Sequence, residues 1–227
     1  MPAYNEAATI ELILERVDAV PIDKEIVVVD DGSTDGTRER LQRLEAEWAQ
    51  GHRSRLRVLL QPENRGKGAA LRRGIEAARG RALIVQDADL EYDPGEYPRL
   101  VRPVLEGAAE VVYGSRFKEV PLSTLLRWHT LGNKVLTWSS NLLTGYRLTD
   151  METCYKCFRT ELVQSLPLKE DRFGFEPEVT ALLAKRGVEI LEVPISYRYR
   201  SYAEGKKIGW KDGVEAFRVM IRSRLRA

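Results

Sequence analysis

Apolar residues recur along the chain at two alternating periods. A helical spacing runs from about Ala7 to Val20 and gives way to KEIVVVDD, an apolar run ending in acid, as in a strand buried on both faces. The same alternation follows three more times. A polar helix spans Thr37 to Ala49 before the strand RLRVLLQ, and a helix from Gly66 to near Gly80 precedes the strand RALIVQDAD. A proline-started helix near Gly95–Glu106 then leads to the strand AEVVYGS. Strands alternating with helices predict an α/β fold of Rossmann-like character, a mostly parallel sheet with helices on both faces. In such sheets ligands bind beyond the carboxyl ends of the strands. Asp30-Asp31 ends one strand and Asp87-Ala88-Asp89 another, so the pattern alone gathers carboxylates around one crevice.

The second half breaks the alternation. Residues 122–145 are moderately apolar at helical period and carry Trp128 and Trp138, which fit either a core or a membrane interface. A strand near Glu152–Arg159 follows, then a helix near Pro177–Arg186, the strand VEILEVP and the extended run ISYRYR. Acids Glu176 and Glu178 suit a helix start. An amphipathic basic helix closes the chain over 209–227. The 227 residues read as one domain without repeats, and 122–145 and 209–227 are candidate membrane-interface helices. An α/β unit normally opens with a strand, yet PAYNE reads as the loop that follows one. The first strand is therefore expected to be missing, through a late start or a truncated chain.

Composition changes this picture little. Hydrophobic residues make up 43% and charged residues 31%, as in soluble globular proteins. Lys plus Arg numbers 36 against 34 Asp plus Glu, a net charge of +2 that gives no case for nucleic acid. No run reaches the ~18 apolar residues of a spanning helix. The opening MPAYNE has neither basic start nor apolar core, so the expected address is cytoplasmic. Cys154 and Cys157 form a C-x-x-C without a second pair, and strand parity turns them to opposite faces, which favours packing over zinc or redox chemistry.

Three motifs carry chemistry. In QDADLE, residues 86–91, two hard carboxylates at a strand end suit Mg²⁺ or Mn²⁺ holding a diphosphate. In VVVDDGSTDGT, Asp35 reads as a helix cap, while Asp30 and Asp31 are costly at a buried strand end unless they bind something, such as a nucleobase N–H or a ribose hydroxyl. In ENRGKGAALRRG, Arg65, Gly66 and Lys67 sit at a helix start, which either binds an anion or is an ordinary beginning with solvated bases. The basic run 198–207, beside a glycine, reads as an anion clamp.

Together PAYNE, VVVDDGSTDGT, NRGKGAAL, QDADLEYDP, YGSRF and TDMETCYK resemble, in order and spacing, family 2 glycosyltransferases of the GT-A fold. They most resemble the polyprenyl-phosphate sugar synthases of the dolichol-phosphate mannose or glucose type. The resemblance implies that Pro2, Ala3, Tyr4 and Glu6 line a nucleotide pocket with Asp30, Asp31, Lys67 and Asp87. It implies metal ligation by Asp89 and Glu91, a sugar or phosphate contact from Arg116, and a base or acceptor-orienting acid in Asp150. Arg198, Arg200, Lys206 and Lys207 would close over the diphosphate and the acceptor phosphate. The expected reaction is inverting transfer of a hexose from UDP-glucose or GDP-mannose to polyprenyl phosphate, by a peripheral protein at the cytoplasmic face of a membrane. Transfer to a saccharide hydroxyl, a non-catalytic nucleotide-sugar-binding protein, and nucleotidyl transfer are the rivals. The last lacks its early glycine-rich basic loop.

Overall fold

The computed structural model describes residues 1–118, 128–198 and 210–225, without the side chains of 128–130, 210–214 and 224–225. Strand β1 (Pro2–Ala3) leads to α1 (Ile10–Ala19), then β2 (Glu25–Asp30), α2 (Thr37–Glu47), β3 (Arg55–Leu60) and α3 (Lys67–Ala77). Next come β4 (Ala82–Ile84), α4 (Tyr97–Leu105), β5 (Val111–Ser115) and α5 (Trp128–Thr144). The chain continues through β6 (Lys156–Arg159), α6 (Thr160–Gln164), α7 (Phe175–Lys185), β7 (Ile190–Pro194) and α8 (Trp210–Leu225).

The first strand is therefore present as two residues where the sequence reading left none. Pro2 and Ala3 pair in parallel with Val29 and Asp30, and β2 pairs in parallel with β3. A second sheet has the order β4-β6-β5-β7. The pairing is mostly parallel, as expected: β5 and β7 are parallel, and β6 alone among the described strands runs antiparallel, to both β4 and β5. The long excursion from β5 to β6, which contains α5, explains this. A chain that returns at the carboxyl edge of the sheet enters the next strand from the top and needs no right-handed crossover.

That reversal has a chemical consequence. Tyr113 pairs with Lys156, so the residues just before β6 lie at the same edge as those just after β5. Ser115 pairs with Pro194, bringing residues 195–198 to that edge too. The ends of β2, β4, β5 and β7 and the approach to β6 thus share one rim. Beneath it lies a single apolar core containing Ile10, Leu14, Val28, Leu100, Val112, Phe158 and Leu183, all fully buried. Both cysteines are buried and free, and burial pushes the Cys157 thiol up to about 12. Only Cys157 lies in β6, so the parity argument from sequence does not reach Cys154. No helix among the described residues is long and apolar enough to cross a membrane.

Candidate active site

On the three-stranded side, two loops are laced together. Asn5, in the left-handed region at φ 52°, donates its N–H to Ser33 Oγ (3.0 Å) and accepts at Oδ1 from the Thr34 N–H (2.8 Å). Glu6 N–H donates to Thr37 Oγ1 (2.9 Å). Asp35 caps as expected, accepting at Oδ1 from the Thr37 N–H at 3.0 Å, and also ties in Ala7 through Oδ2 at 3.1 Å. Burial alone raises the Asp35 carboxyl, but these bonds, with the Thr37 hydroxyl's, carry it below its ordinary value. The PAYNE loop is thereby fixed over the strand end that carries Asp30.

Asp30 and Asp31 then part company. Asp30 is wholly buried, and its Oδ2 accepts from Arg38 Nε and Nη2 at 2.8 and 2.7 Å. Its Oδ1 is buried with no protein donor. A buried carboxylate oxygen is costly to leave without a hydrogen bond. Asp31 is fully engaged, accepting from Gln61 Nε2 (2.6 Å) and from the N–H groups of Arg65 and Gly66 (both 2.8 Å). Asp31 thus sits under the 61–66 loop, with its partners supplied by the protein, whereas Asp30 keeps one oxygen without a donor.

Of the two readings of the start of α3, the ordinary helix beginning is the one its backbone donors favour. The Gly68 and Ala69 N–H groups donate to the carbonyls of Arg172 and Asp171 at 3.1 and 3.0 Å. A Cβ at Gly68 would lie 2.2 Å from the Glu170 carbonyl oxygen, so only glycine lets the two backbones meet. Lys67 does not stand free either. Its Nζ lies 3.0 Å from Asp87 Oδ1 and 3.1 Å from Glu176 Oε1. Burial opposes the Lys67 charge, but the two carboxylates outweigh it and hold the ammonium well above its usual range. Glu176, read from sequence as a helix-start residue, begins α7 and is also the second partner of this lysine.

At the end of β4 the carboxylates crowd. Burial first, then Asp87 and Glu91, push the Asp89 carboxyl up to about 7. Glu91 accepts from the Tyr197 hydroxyl at 2.6 Å, and its carbonyl takes the Arg198 N–H at 2.9 Å. Among the described residues no three His, Cys, Asp or Glu side chains converge to hold an ion by themselves. The donor chemistry nevertheless fits a hard divalent cation: Asp89 is an oxygen ligand destabilised by neighbouring negative charge, which a cation would relieve.

Joined to Glu91 through Tyr197 are two further residues singled out in the sequence, Arg116 and Asp150. Arg116 grips Asp150 through Nε to Oδ2 (2.7 Å), Nη2 to Oδ1 (2.8 Å) and the backbone N–H to Oδ2 (3.0 Å). The guanidinium also lies 5.1 Å from the ring centre of Tyr197. Asp150 is fully buried, and Glu192 Oε1 accepts its N–H. Both carboxylate oxygens of Asp150 are thus occupied by Arg116. Behind the pair, Glu152 Oε1 is buried without a partner. Burial and then Glu176 push its carboxyl up to about 7, against Lys156 and Arg116. Lys156 is wholly buried, donates to the carbonyls of Met151 (2.8 Å) and Thr153, and lies over the Tyr113 ring. Burial pushes it down to about 8 against the pull of Glu176 and Glu152.

The motifs named Asp30, Asp31, Lys67, Glu91 and Asp150 but not the residues that hold them: Arg38 on Asp30, Gln61 on Asp31, Glu176 on Lys67, Tyr197 on Glu91 and Glu192 on Asp150. The one available signal was acid in the first turn of α7, which helix electrostatics explained equally well. Arg200, Lys206 and Lys207 lie outside the described residues.

The mostly parallel α/β sheets with their helices match solved structures of the GT-A fold, and that is the class of this chain. The model of Glycosyl transferase family 2 matches residues 1–166, and the chain belongs to that family. An undecaprenyl-phosphate mannosyltransferase of Micrococcus luteus is 33% identical over 222 residues, covering 92% of this chain and 86% of that one. A polyprenol monophosphomannose synthase of Mycolicibacterium smegmatis is 30% identical, covering 99% and 87%. Among solved structures, glucosyl-3-phosphoglycerate synthase from Mycobacterium tuberculosis in complex with Mn²⁺, uridine-diphosphate and phosphoglyceric acid has the same fold. Its TM-score is 0.71 at 23% identity, covering 99% of this chain and 76% of that one.

Proposed function

We propose that the protein transfers a hexose from a nucleoside diphosphate sugar, UDP-glucose or GDP-mannose, to polyprenyl phosphate, with inversion, as a peripheral protein at the cytoplasmic face of a membrane. The observation that carries this reading is the occupied state of Asp150. An alcohol acceptor must lose its proton to a base. A phosphate monoester has a second pKa near ~6 and is already largely ionised at neutral pH. A cleft whose acid is committed to an arginine suits the second acceptor. The names of the two curated relatives, which act on undecaprenyl phosphate and polyprenol, point the same way.

Each residue then has a definite task. Asp30 Oδ1, buried and without a donor, accepts from a nucleobase N–H or a ribose hydroxyl, with Pro2, Ala3, Tyr4 and Glu6 walling the pocket. Lys67 holds Asp87 in place. Asp89 and Glu91 hold Mg²⁺ or Mn²⁺, which when bound neutralises charge on the departing diphosphate. The likeness to a synthase crystallised with Mn²⁺ supports the metal. Arg116, aimed by Asp150, orients the acceptor phosphate, and Arg198 with Arg200, Lys206 and Lys207 adds positive charge. Positioning and charge neutralisation are the main catalytic work.

The test is kcat/KM for a short-chain polyprenyl phosphate at saturating donor, with product mass measured. Arg116→Ala, Arg200→Ala and Lys206→Ala are expected to lower it by about 10²-fold or more, as loss of a desolvated charge contact does. Asp150→Asn is expected to lower it less. A collapse in Asp150→Asn alone, with the basic variants near wild type, would overturn the phosphate acceptor in favour of a saccharide hydroxyl.

A further inference from the structure

Helix α5 packs Leu136 and Leu143 against the core and carries a second apolar face that nothing among the described residues covers. It turns Thr137, Ser139 and Ser140 into the protein, at 4%, 7% and 0% exposure. It leaves Leu131, Val135, Trp138 and Leu142 in the open, at 54%, 54%, 66% and 72%. Their spacing of four, three and four residues makes one continuous apolar stripe. On the inner face, beside Leu136 and Leu143, polar side chains tie the helix to the loop that follows it. Thr137 Oγ1 accepts the Met151 N–H at 3.1 Å, and Asn141 bonds Leu148 in both directions, through Nδ2 to the carbonyl (2.8 Å) and Oδ1 from the N–H (3.0 Å). The stripe is thus rigidly tied to the loop that carries Asp150, and it is not a core face that has lost its neighbour.

Charge identifies what covers it. Residues 128–149 contain no Asp or Glu, and their ionised groups are Lys134 and Arg147, both exposed. An apolar stripe edged by bases and free of acids matches the headgroup–acyl boundary of an anionic bilayer. Trp138 suits that boundary, with an apolar ring and a wet N–H. We infer that the outer face of α5 docks on an anionic membrane surface through Leu131, Val135, Trp138 and Leu142, bringing the Arg116–Asp150 end of the cleft to the lipid. This rests on the lipid-linked acceptor proposed above and adds the docking face and the orientation.

The experiment compares wild type with the double variant Trp138→Glu, Leu142→Glu. Both positions are exposed, so an unchanged melting temperature is expected. Co-sedimentation uses phosphatidylcholine vesicles with or without about one-third phosphatidylglycerol, a composition that supplies the anionic surface. Transfer is measured to a water-soluble short-chain polyprenyl phosphate and to a long-chain one in the same vesicles. Wild type should bind the anionic vesicles, and the variant should lose about tenfold or more of that binding and of vesicle transfer, since peripheral binding scales with buried apolar area. Its rate on the short-chain acceptor should stay at the wild-type value. Equal vesicle binding by the two proteins would overturn the inference. So would a wild-type dimer that the variant turns into monomer, because a second copy would then own the face. If wild type binds and the variant does not, yet neither acceptor is glycosylated, the docking face stands and the polyprenyl-phosphate reading falls.

Discussion

On the three-stranded side of the cleft Asp31 is ringed by three donors and Asp30 by an arginine, while across it Asp89 and Glu152 are half-buried beside other acids. The first side is finished. Its acids were satisfied when the chain folded, leaving Asp30 Oδ1 as the buried oxygen that still lacks a donor. The second side is unfinished, because two carboxyls are held near 7 by burial and like charge. One side therefore works as a socket of fixed shape. The other stores electrostatic cost, which under the proposed function a bound cation would relieve.

The largest expected effect tests the unfinished side. Asp89→Asn removes the crowded ligand and should lower transfer by about 10³-fold, several kcal/mol of lost charge stabilisation. In wild type the cation must displace the proton that Asp89 holds near pH 7. Apparent affinity for Mn²⁺, followed by titration with donor present, should therefore weaken about tenfold per unit as pH falls below about 7. Affinity that does not change between pH 5.5 and 8 would show that Asp89 is ionised throughout and that the two sides do not differ as described.

The next effect tests the finished side. Gly68→Ala places a methyl 2.2 Å from the Glu170 carbonyl oxygen and should cost about 2–4 kcal/mol of stability, read from denaturant midpoints. Because that side is held by saturated bonds, the pH dependence of stability should keep its wild-type form. A changed pH profile would mean that the 61–68 loop also sets the charges across the cleft, through Lys67.

The alternation of helices and strands in the first half was legible because α/β crossovers leave a clear period in the sequence, and the acids at the ends of β2 and β4 follow from it directly. Strand β6 was legible as a strand but not in its direction, since a side-chain pattern of period two reads the same both ways. Its reversal is what brings Glu152 and Lys156 to the rim. Lys156 at 0% exposure looks like any strand lysine in sequence, and Glu176 like any helix-start acid; only tertiary packing pairs charges so far apart. Asp30 and Asp31 are adjacent and identical in sequence, yet one keeps an open oxygen and the other is consumed by a loop thirty residues on. No local pattern records which.

The smallest expected effect discriminates the two sides through stability alone. Glu152 is raised from an ordinary value near 4.5 to about 7. Between those values the folded protein keeps a proton that the unfolded chain has released. Folding is therefore disfavoured progressively as pH rises through that window, with the full cost present above about 7. Asp89 adds a second contribution of the same sign, from 3.8 to about 7. Glu152→Gln keeps the shape and removes the titration. The variant should match wild type at pH 4, lose less stability between pH 4.5 and 7, and melt higher than wild type at pH 8, with the residual slope left to Asp89. Lys156 works against this, because its ammonium loses a neighbouring carboxylate and retains Glu176. If that loss dominated, Glu152→Gln would melt lower than wild type at pH 8. Glu152 would then be half of a net-favourable buried pair, and the second side would be as finished as the first. Melting curves of the two proteins without metal, from pH 4 to 8, decide between these outcomes.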